Sequence, residues 1–183
     1  ARSPDGREIP GVEFAVFRRG KADYLTVEKR SFAYERYPLP AEITLDAPYW
    51  VSDVRTGRSL GRTDRIPLQL DGLGCYLFAL LPYEVKNLAV KAPSSVKRGG
   101  DIVLDVAVTA DAAPADLAPH VIRIETVAPD GTQPIEMRKL DTEAGRLVCS
   151  LPIAHNDQTG KWTVTATDVA TGKTRTVTVK VKN

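Results

Sequence analysis

Residues 49–83, YWVSDVRTGRSLGRTDRIPLQLDGLGCYLFALLPY, read as three consecutive antiparallel strands and leave the chain little choice of fold class. Residues 49–54 form the first strand. The turn Arg55-Thr56-Gly57-Arg58 follows, with Gly57 supplying the positive φ that closes a type I turn with a bulge. The second strand runs over residues 59–70, with Ile66, Leu68 and Leu70 on one face and Pro67 and Gln69 on the other. Asp71-Gly72 opens the next turn. Residues 75–81 are almost wholly apolar, the pattern of a strand covered on both faces. Pro82 ends it, because proline has no N–H to give a ladder.

The same signals extend both ways along the chain. Upstream, Val12, Phe14 and Val16 alternate with Glu13, Ala15 and Phe17, Arg19-Gly20-Lys21 turns, and residues 24–29 return as a hairpin partner. Residues 31–40, rich in aromatics and proline, read as a loop, and residues 42–45 as a short strand ending at Asp46-Ala47-Pro48. Five or six strands at this spacing make a small all-β sandwich. Downstream, the pattern restarts after a boundary at residues 84–88. Ile102, Leu104, Val106 and Val108 alternate with Val103, Asp105 and Ala107, the signature of a half-buried strand. Further strands are expected over residues 120–127, 135–140 and 146–151. A closing hairpin has Trp162, Val164 and Ala166 on one face of its first strand and Val177, Val179 and Val181 on one face of its second. Seven strands in this length suit an immunoglobulin-like sandwich. One turn occurs twice: Asp53-Val54-Arg55-Thr56-Gly57-Arg58 is echoed by Asp168-Val169-Ala170-Thr171-Gly172-Lys173. Their flanking strands differ, so the echo is shared hairpin chemistry and not a duplication.

Composition narrows the function classes. Across 183 residues, 43% are hydrophobic and 26% charged, enough apolar material for packed cores. A net charge of +2, with basic residues scattered among 23 acids, argues against a nucleic-acid partner. No apolar run of about 18 residues is present, so no membrane-inserted segment is expected. The chain begins Ala-Arg-Ser-Pro-Asp-Gly with Met137 as its only methionine, and is expected to be a fragment of a longer polypeptide. Cys75 and Cys149 fall in separate apolar strands and are expected to be buried free thiols.

The search for chemistry yields little. His120 and His155 lie in no nucleophile-base motif and read as surface or turn histidines. Metal-ligand spacings are missing, and Asn156, Asp157 and Asp168 are explained by turn formation before calcium binding. No cofactor is expected. Carboxylate pairs, such as Asp53 with Asp64 or Asp71, arise in any β domain this acidic and single out no glycoside-hydrolase site. Aromatics offer the better binding candidates. Trp162 shares a face with Val164 and belongs to the core. Tyr49 and Trp50 are adjacent on a strand and face opposite ways, so one of them leaves its own core. Tyr34, Tyr37, Tyr49 and Trp50 are therefore the expected binding residues, able to stack on sugar rings.

Residues 51–85, VSDVRTGRSLGRTDRIPLQLDGLGCYLFALLPYEV, with the preceding VEFAVFRRGKADYLTVEKR, resemble the C-terminal all-β region of bacterial β-galactosidase-like glycoside hydrolases. The second half, with PDGTQPIEMRKL and LPIAHNDQTGKWTVTATDVATGKT, is similar to immunoglobulin-like or macroglobulin-like modules of secreted and cell-surface proteins. In such enzymes the catalytic carboxylates lie in an upstream barrel, so the resemblance carries over no catalytic residue. It implies a non-catalytic accessory region of an exported enzyme: secreted, periplasmic or at the cell surface, and packed on the upstream catalytic domain. The expected architecture is two antiparallel β-sandwiches in tandem, residues 1–85 and 86–183, the second immunoglobulin-like. Residues 75–81 and the outward member of the Tyr49/Trp50 pair are the expected contact surfaces. The alternatives are a carbohydrate-binding module that takes polysaccharide, and an adhesion-type interaction protein.

Overall fold

Alternation and turn chemistry resolve into thirteen strands in a computed structural model that describes residues 1–30, 38–71, 74–135 and 137–183. The fold is all-β, and the chain divides into two units, Ala1–Glu84 and Val85–Asn183.

The first unit is built from β1 (Val12–Arg19), β2 (Ala22–Lys29), β3 (Leu39–Asp53), β4 (Arg58–Leu70) and β5 (Cys75–Leu81), in the antiparallel order β1-β2-β5-β3-β4. One sheet supplies both layers of this sandwich. The β3–β4 register breaks between Thr44 and Tyr49, where Asp46-Ala47-Pro48 cannot continue the ladder. Before the break, β3 pairs only with the second half of β4. After it, β3 pairs with the first half of β4 and with β5. Ala41 and Ile43 with Ile66, Leu68 and Leu70 thus close over Leu25, Val27, Phe78, Leu80 and Val51. The expected pair of short strands at residues 42–45 and 49–54 is in fact the single bent strand β3. The expected loop at residues 31–40 falls largely outside the described residues, and its end, Leu39 and Pro40, already belongs to β3.

The second unit contains β6 (Val85–Lys91), β7 (Ser95–Lys97), β8 (Asp101–Ala110), β9 (Val121–Val127), β10 (Arg138–Asp141), β11 (Arg146–Pro152), β12 (Gly160–Asp168) and β13 (Thr174–Lys182). Sheet β11-β8-β6 faces sheet β10-β9-β12-β13-β7, with β7 parallel to β13. The chain passes from one sheet to the other five times, between β6 and β7, β7 and β8, β8 and β9, β10 and β11, and β11 and β12, as the crossovers of an immunoglobulin-like sandwich do. Ile102, Leu104 and Val106 from β8 are buried, as are Ile122 and Ile124 from β9 and Trp162, Val164 and Ala166 from β12. Trp162 is fully enclosed, and its Nε1–H donates to the Gln158 carbonyl at 2.8 Å, so its one polar group stays satisfied.

Three local expectations need correction. Among the described residues, the strand expected at residues 135–140 spans Arg138–Asp141. Cys75 is exposed and Cys149 half-buried, though both are free. Cys75 starts β5 beyond its covered half, since only Phe78–Leu81 of that strand is buried throughout. Cys149 faces inward on β11, an edge strand with cover on one side, and burial pushes its thiol pKa up.

The twin turns fold alike. Gly57 N–H donates to the Asp53 carbonyl and Gly172 N–H to the Asp168 carbonyl, both at 2.8 Å, with φ of 70° and 72° at the glycines. Gly57→Ala and Gly172→Ala each place a side chain in the left-handed region, and each is expected to cost about 1 kcal/mol of stability. Urea unfolding of both variants checks this: an unchanged midpoint in either removes the role assigned to that glycine.

Candidate functional site

The cleft of the first unit follows from the bend in β3. On β1, Phe14, Val16 and Arg18 share a face with Val27, Leu25 and Asp23, their partners on β2. The folded-over layer covers Leu25 and Val27 but stops short of β1. Phe14 therefore remains 46% exposed and Val16 58% exposed, although their alternation is that of a buried strand face. What remains is a cleft of about 540 Å³, with Phe14, Val16, Leu25 and Leu80 on one side and Ile43 and Leu45 on the other. A half-open apolar hollow of this volume lies within the range of small-ligand and peptide sites.

One end of the cleft is polar. Arg18 donates from Nε and Nη2 to the two Asp23 carboxylate oxygens at 2.7 and 2.9 Å. That bidentate hydrogen bond, with the guanidinium charge behind it, holds the Asp23 carboxyl below its ordinary pKa. Tyr49 OH donates to Asp46 Oδ1 at 3.1 Å, and burial followed by this carboxylate contact raises the phenol pKa. The cleft thus pairs an apolar body with a fixed hydrogen-bonding end.

The expected binding residues are not gathered into one platform. Tyr34 and Tyr37 lie outside the described residues. Tyr49 is half-buried, packs against the core edge and lines the cleft. Trp50, also half-buried, sits on the opposite face of β3, across from Arg62 on β4 and Leu81 on β5. The contact role expected of residues 75–81 also changes: β5 is an interior strand between β2 and β3, with its apolar half enclosed. Among the described residues of this unit, the large exposed apolar ones are Phe14, Val16 and Phe17, all on β1. The signal for them in the sequence is that β1 carries an aromatic on each face, and one packed layer can cover only one.

His120 is not the surface or turn histidine expected. It is 1% exposed, and its Nδ1 lies 3.0 Å from Oδ1 of Asp168, which is fully buried. Thr171 donates to the other Asp168 oxygen, and the His120 backbone exchanges hydrogen bonds with Thr142. His155 is exposed, and Asp157 accepts the Ala154 N–H within its own turn at 2.7 Å. Asp53 likewise accepts the N–H groups of Arg55 and Thr56. Among the described residues no group of three His, Cys, Asp or Glu side chains is placed to hold a metal ion.

Two tests follow. His120→Ala leaves a buried carboxyl short of its partner and is expected to lower stability by about 3 kcal/mol, seen as a lower urea midpoint. His120→Asn, which keeps a polar group at the site, is expected to recover part of that loss. For Asp23, whose folded pKa is depressed, the stabilisation is complete above the ordinary carboxylate range and is lost as pH falls through the folded value. The melting temperatures of the native chain and Asp23→Asn are therefore expected to differ most at neutral pH and to converge in acid. A gap independent of pH removes the ion pair as its cause.

Comparison with known proteins places the chain in no family. No family model matches it, and no curated protein matches it. Among solved structures it is similar to Salmonella alpha-2-macroglobulin (mutant Y1175G), with a TM-score of 0.44 and 15% identity over 94% of this chain and 12% of that one. It is also similar to the Listeria innocua beta-glucosidase in complex with glucose, with a TM-score of 0.40 and 14% identity over 55% of this chain and 16% of that one. A third is the superoxide reductase (neelaredoxin) of Ignicoccus hospitalis, with a TM-score of 0.38 and 14% identity over 54% of this chain and 82% of that one. The chain thus spans a small fraction of the macroglobulin and of the beta-glucosidase, and likenesses this slight carry no statement of activity.

Proposed function

We propose that this chain is a non-catalytic accessory region of a larger, exported carbohydrate-active protein of glycoside-hydrolase type. Its role in that reading is to pack modules together. The observation that carries it is the exposure of Phe14 and Val16 on the cleft face of β1, with Phe17 exposed on the other face of the same strand. Covering a large apolar side chain is worth about 1.5–3 kcal/mol, so β1 and the cleft gain from a partner surface. The carbohydrate-active parent is supported by the motif resemblance of residues 51–85 alone. The partner in this reading is the upstream catalytic domain of the same polypeptide.

A second reading, a carbohydrate-binding module, is favoured by one specific feature. Tyr49 lines the cleft beside Arg18, Asp23 and Asp46, so a ring for sugar C–H groups adjoins acceptors and donors for hydroxyls.

One pair of measurements separates the two. Hydrogen exchange of β1 and β2 is compared between this chain and the longer polypeptide that carries it, and calorimetric titration against plant and algal polysaccharides uses Tyr49→Ala and Trp50→Ala as controls. The packing reading expects slower exchange in β1 within the longer protein and no heat of binding. Binding lost in Tyr49→Ala selects the second reading, and binding lost only in Trp50→Ala moves the site to the other face. Equal exchange with no binding overturns both.

A further inference from the structure

We infer that the open edge of β1 is a self-complementary docking strand, which pairs antiparallel with β1 of a second copy of this chain across a twofold axis. The inference goes beyond the accessory role and does not depend on it.

The hydrogen-bonding parity of β1 comes first. Gly11 O accepts the Arg30 N–H at 2.8 Å, so Gly11 and Arg30 form a close pair in the β1–β2 ladder. Close pairs recur at every second residue of an antiparallel ladder. Glu13, Ala15, Phe17 and Arg19 therefore turn their backbone groups toward β2. Val12, Phe14, Val16 and Arg18 turn theirs outward, along the edge that no described strand covers.

The side chains then choose the register. A twofold axis normal to the sheet keeps faces matched only if some residue stands opposite its own copy. Two central registers of β1 satisfy this. Centring on Ala15 sets Glu13, which keeps its ion pair with Arg30 of its own chain at 3.1 Å, against the partner's Phe17, with no opposite charge facing it across the edge. Centring on Val16 sets Glu13 against the partner's Arg19, with the same pair repeated at the other end. It also sets Phe17 against the partner's Ala15, large beside small, and Phe14 against the partner's Arg18, whose guanidinium has a ring face to lie on. Val16 and Arg18, both with outward backbone groups, then form close pairs with the partner's Val16 and the partner's Phe14. Both registers satisfy the backbone parity, and the side chains select the one centred on Val16.

The other edges contrast with this one. β4 carries Arg58, Arg62, Asp64, Arg65 and Pro67, the charges and proline that keep edges from pairing. In the second unit, β7 and β10 are three and four residues long, β11 holds Arg146 and ends in Pro152, and β6 carries Lys86 and Lys91 and is irregular between Val85 and Asn87. The middle of β1, Phe14-Ala15-Val16-Phe17, has no charge, proline or bulge.

Sedimentation equilibrium on this chain tests the inference. A concentration-dependent monomer–dimer equilibrium is expected. Glu13→Arg and Arg19→Glu are each expected to raise the dimer dissociation constant by about tenfold, because two symmetry-related pairs become like-charged. The double variant Glu13→Arg/Arg19→Glu restores the opposed charges and is expected to return to the native value. Val16→Pro removes an N–H that serves only the open edge, and is expected to abolish the dimer while leaving the circular dichroism unchanged. A chain monomeric at every concentration overturns the inference, as does a dimer that survives Val16→Pro. A dimer indifferent to the charge reversals, singly and together, overturns the register. Either failure leaves the accessory reading untouched, since that reading is tested within the longer protein.

Discussion

The loss of register between Thr44 and Tyr49 gives the first unit an inside. A flat five-stranded sheet of this size has no second layer and would leave Leu25, Val27, Phe78 and Leu80 in water. Because Pro48 offers no N–H and Asp46-Ala47-Pro48 breaks the pairing, β3 and β4 turn together and bring Ile43, Ile66 and Leu68 over those residues. The same bend limits the cover. The folded-over half is two strands wide and the sheet beneath it is wider, so the outermost strand, β1, stays uncovered. Core and cleft are two results of one interruption.

The twin turns show how one local solution is put to two uses. Asp53 and Asp168 begin four-residue connections of the same geometry, each ended by a glycine with positive φ. Asp53 is partly exposed and spends its carboxylate on the N–H groups of its own turn. Asp168 is fully buried and reaches His120 at the start of β9. The first turn closes a hairpin, and the second also fixes where the chain enters a neighbouring strand. The difference lies in what surrounds the turn, not in the turn itself.

This separation decides what could be read from the residues. Period-two alternation located most strands of the second unit but not the three-residue β7, put Trp162 in the core, and identified Gly57 and Gly172 as positive-φ positions, because backbone sterics and sheet pleat act over a few residues. The bend of β3 was hidden, since Asp46-Ala47-Pro48 reads equally well as a strand end or as a kink within a strand. Burial of His120 was hidden because its partner stands far along the chain, and nothing near Pro119 announces a carboxylate. The cleft was missed for a related reason. Phe14 and Val16 alternate like buried residues, and only the width of the layer above them leaves them in solvent. Of the expected binding residues, the alternation of Tyr49 and Trp50 across β3 was legible, but the hollow that Tyr49 lines was not.

The parallel pairing of β7 with β13 bears on how the second unit meets mechanical load. A force drawing Ser95 and Asn183 apart pulls β7 back from its first residue and β13 forward from its last. Parallel strands pulled this way slide lengthwise, so the hydrogen bonds joining Ser95, Val96 and Lys97 to β13 are strained together and not opened one at a time. Short as it is, β7 lies as a latch across the unit's last strand, resisting lengthwise sliding where an antiparallel partner would peel.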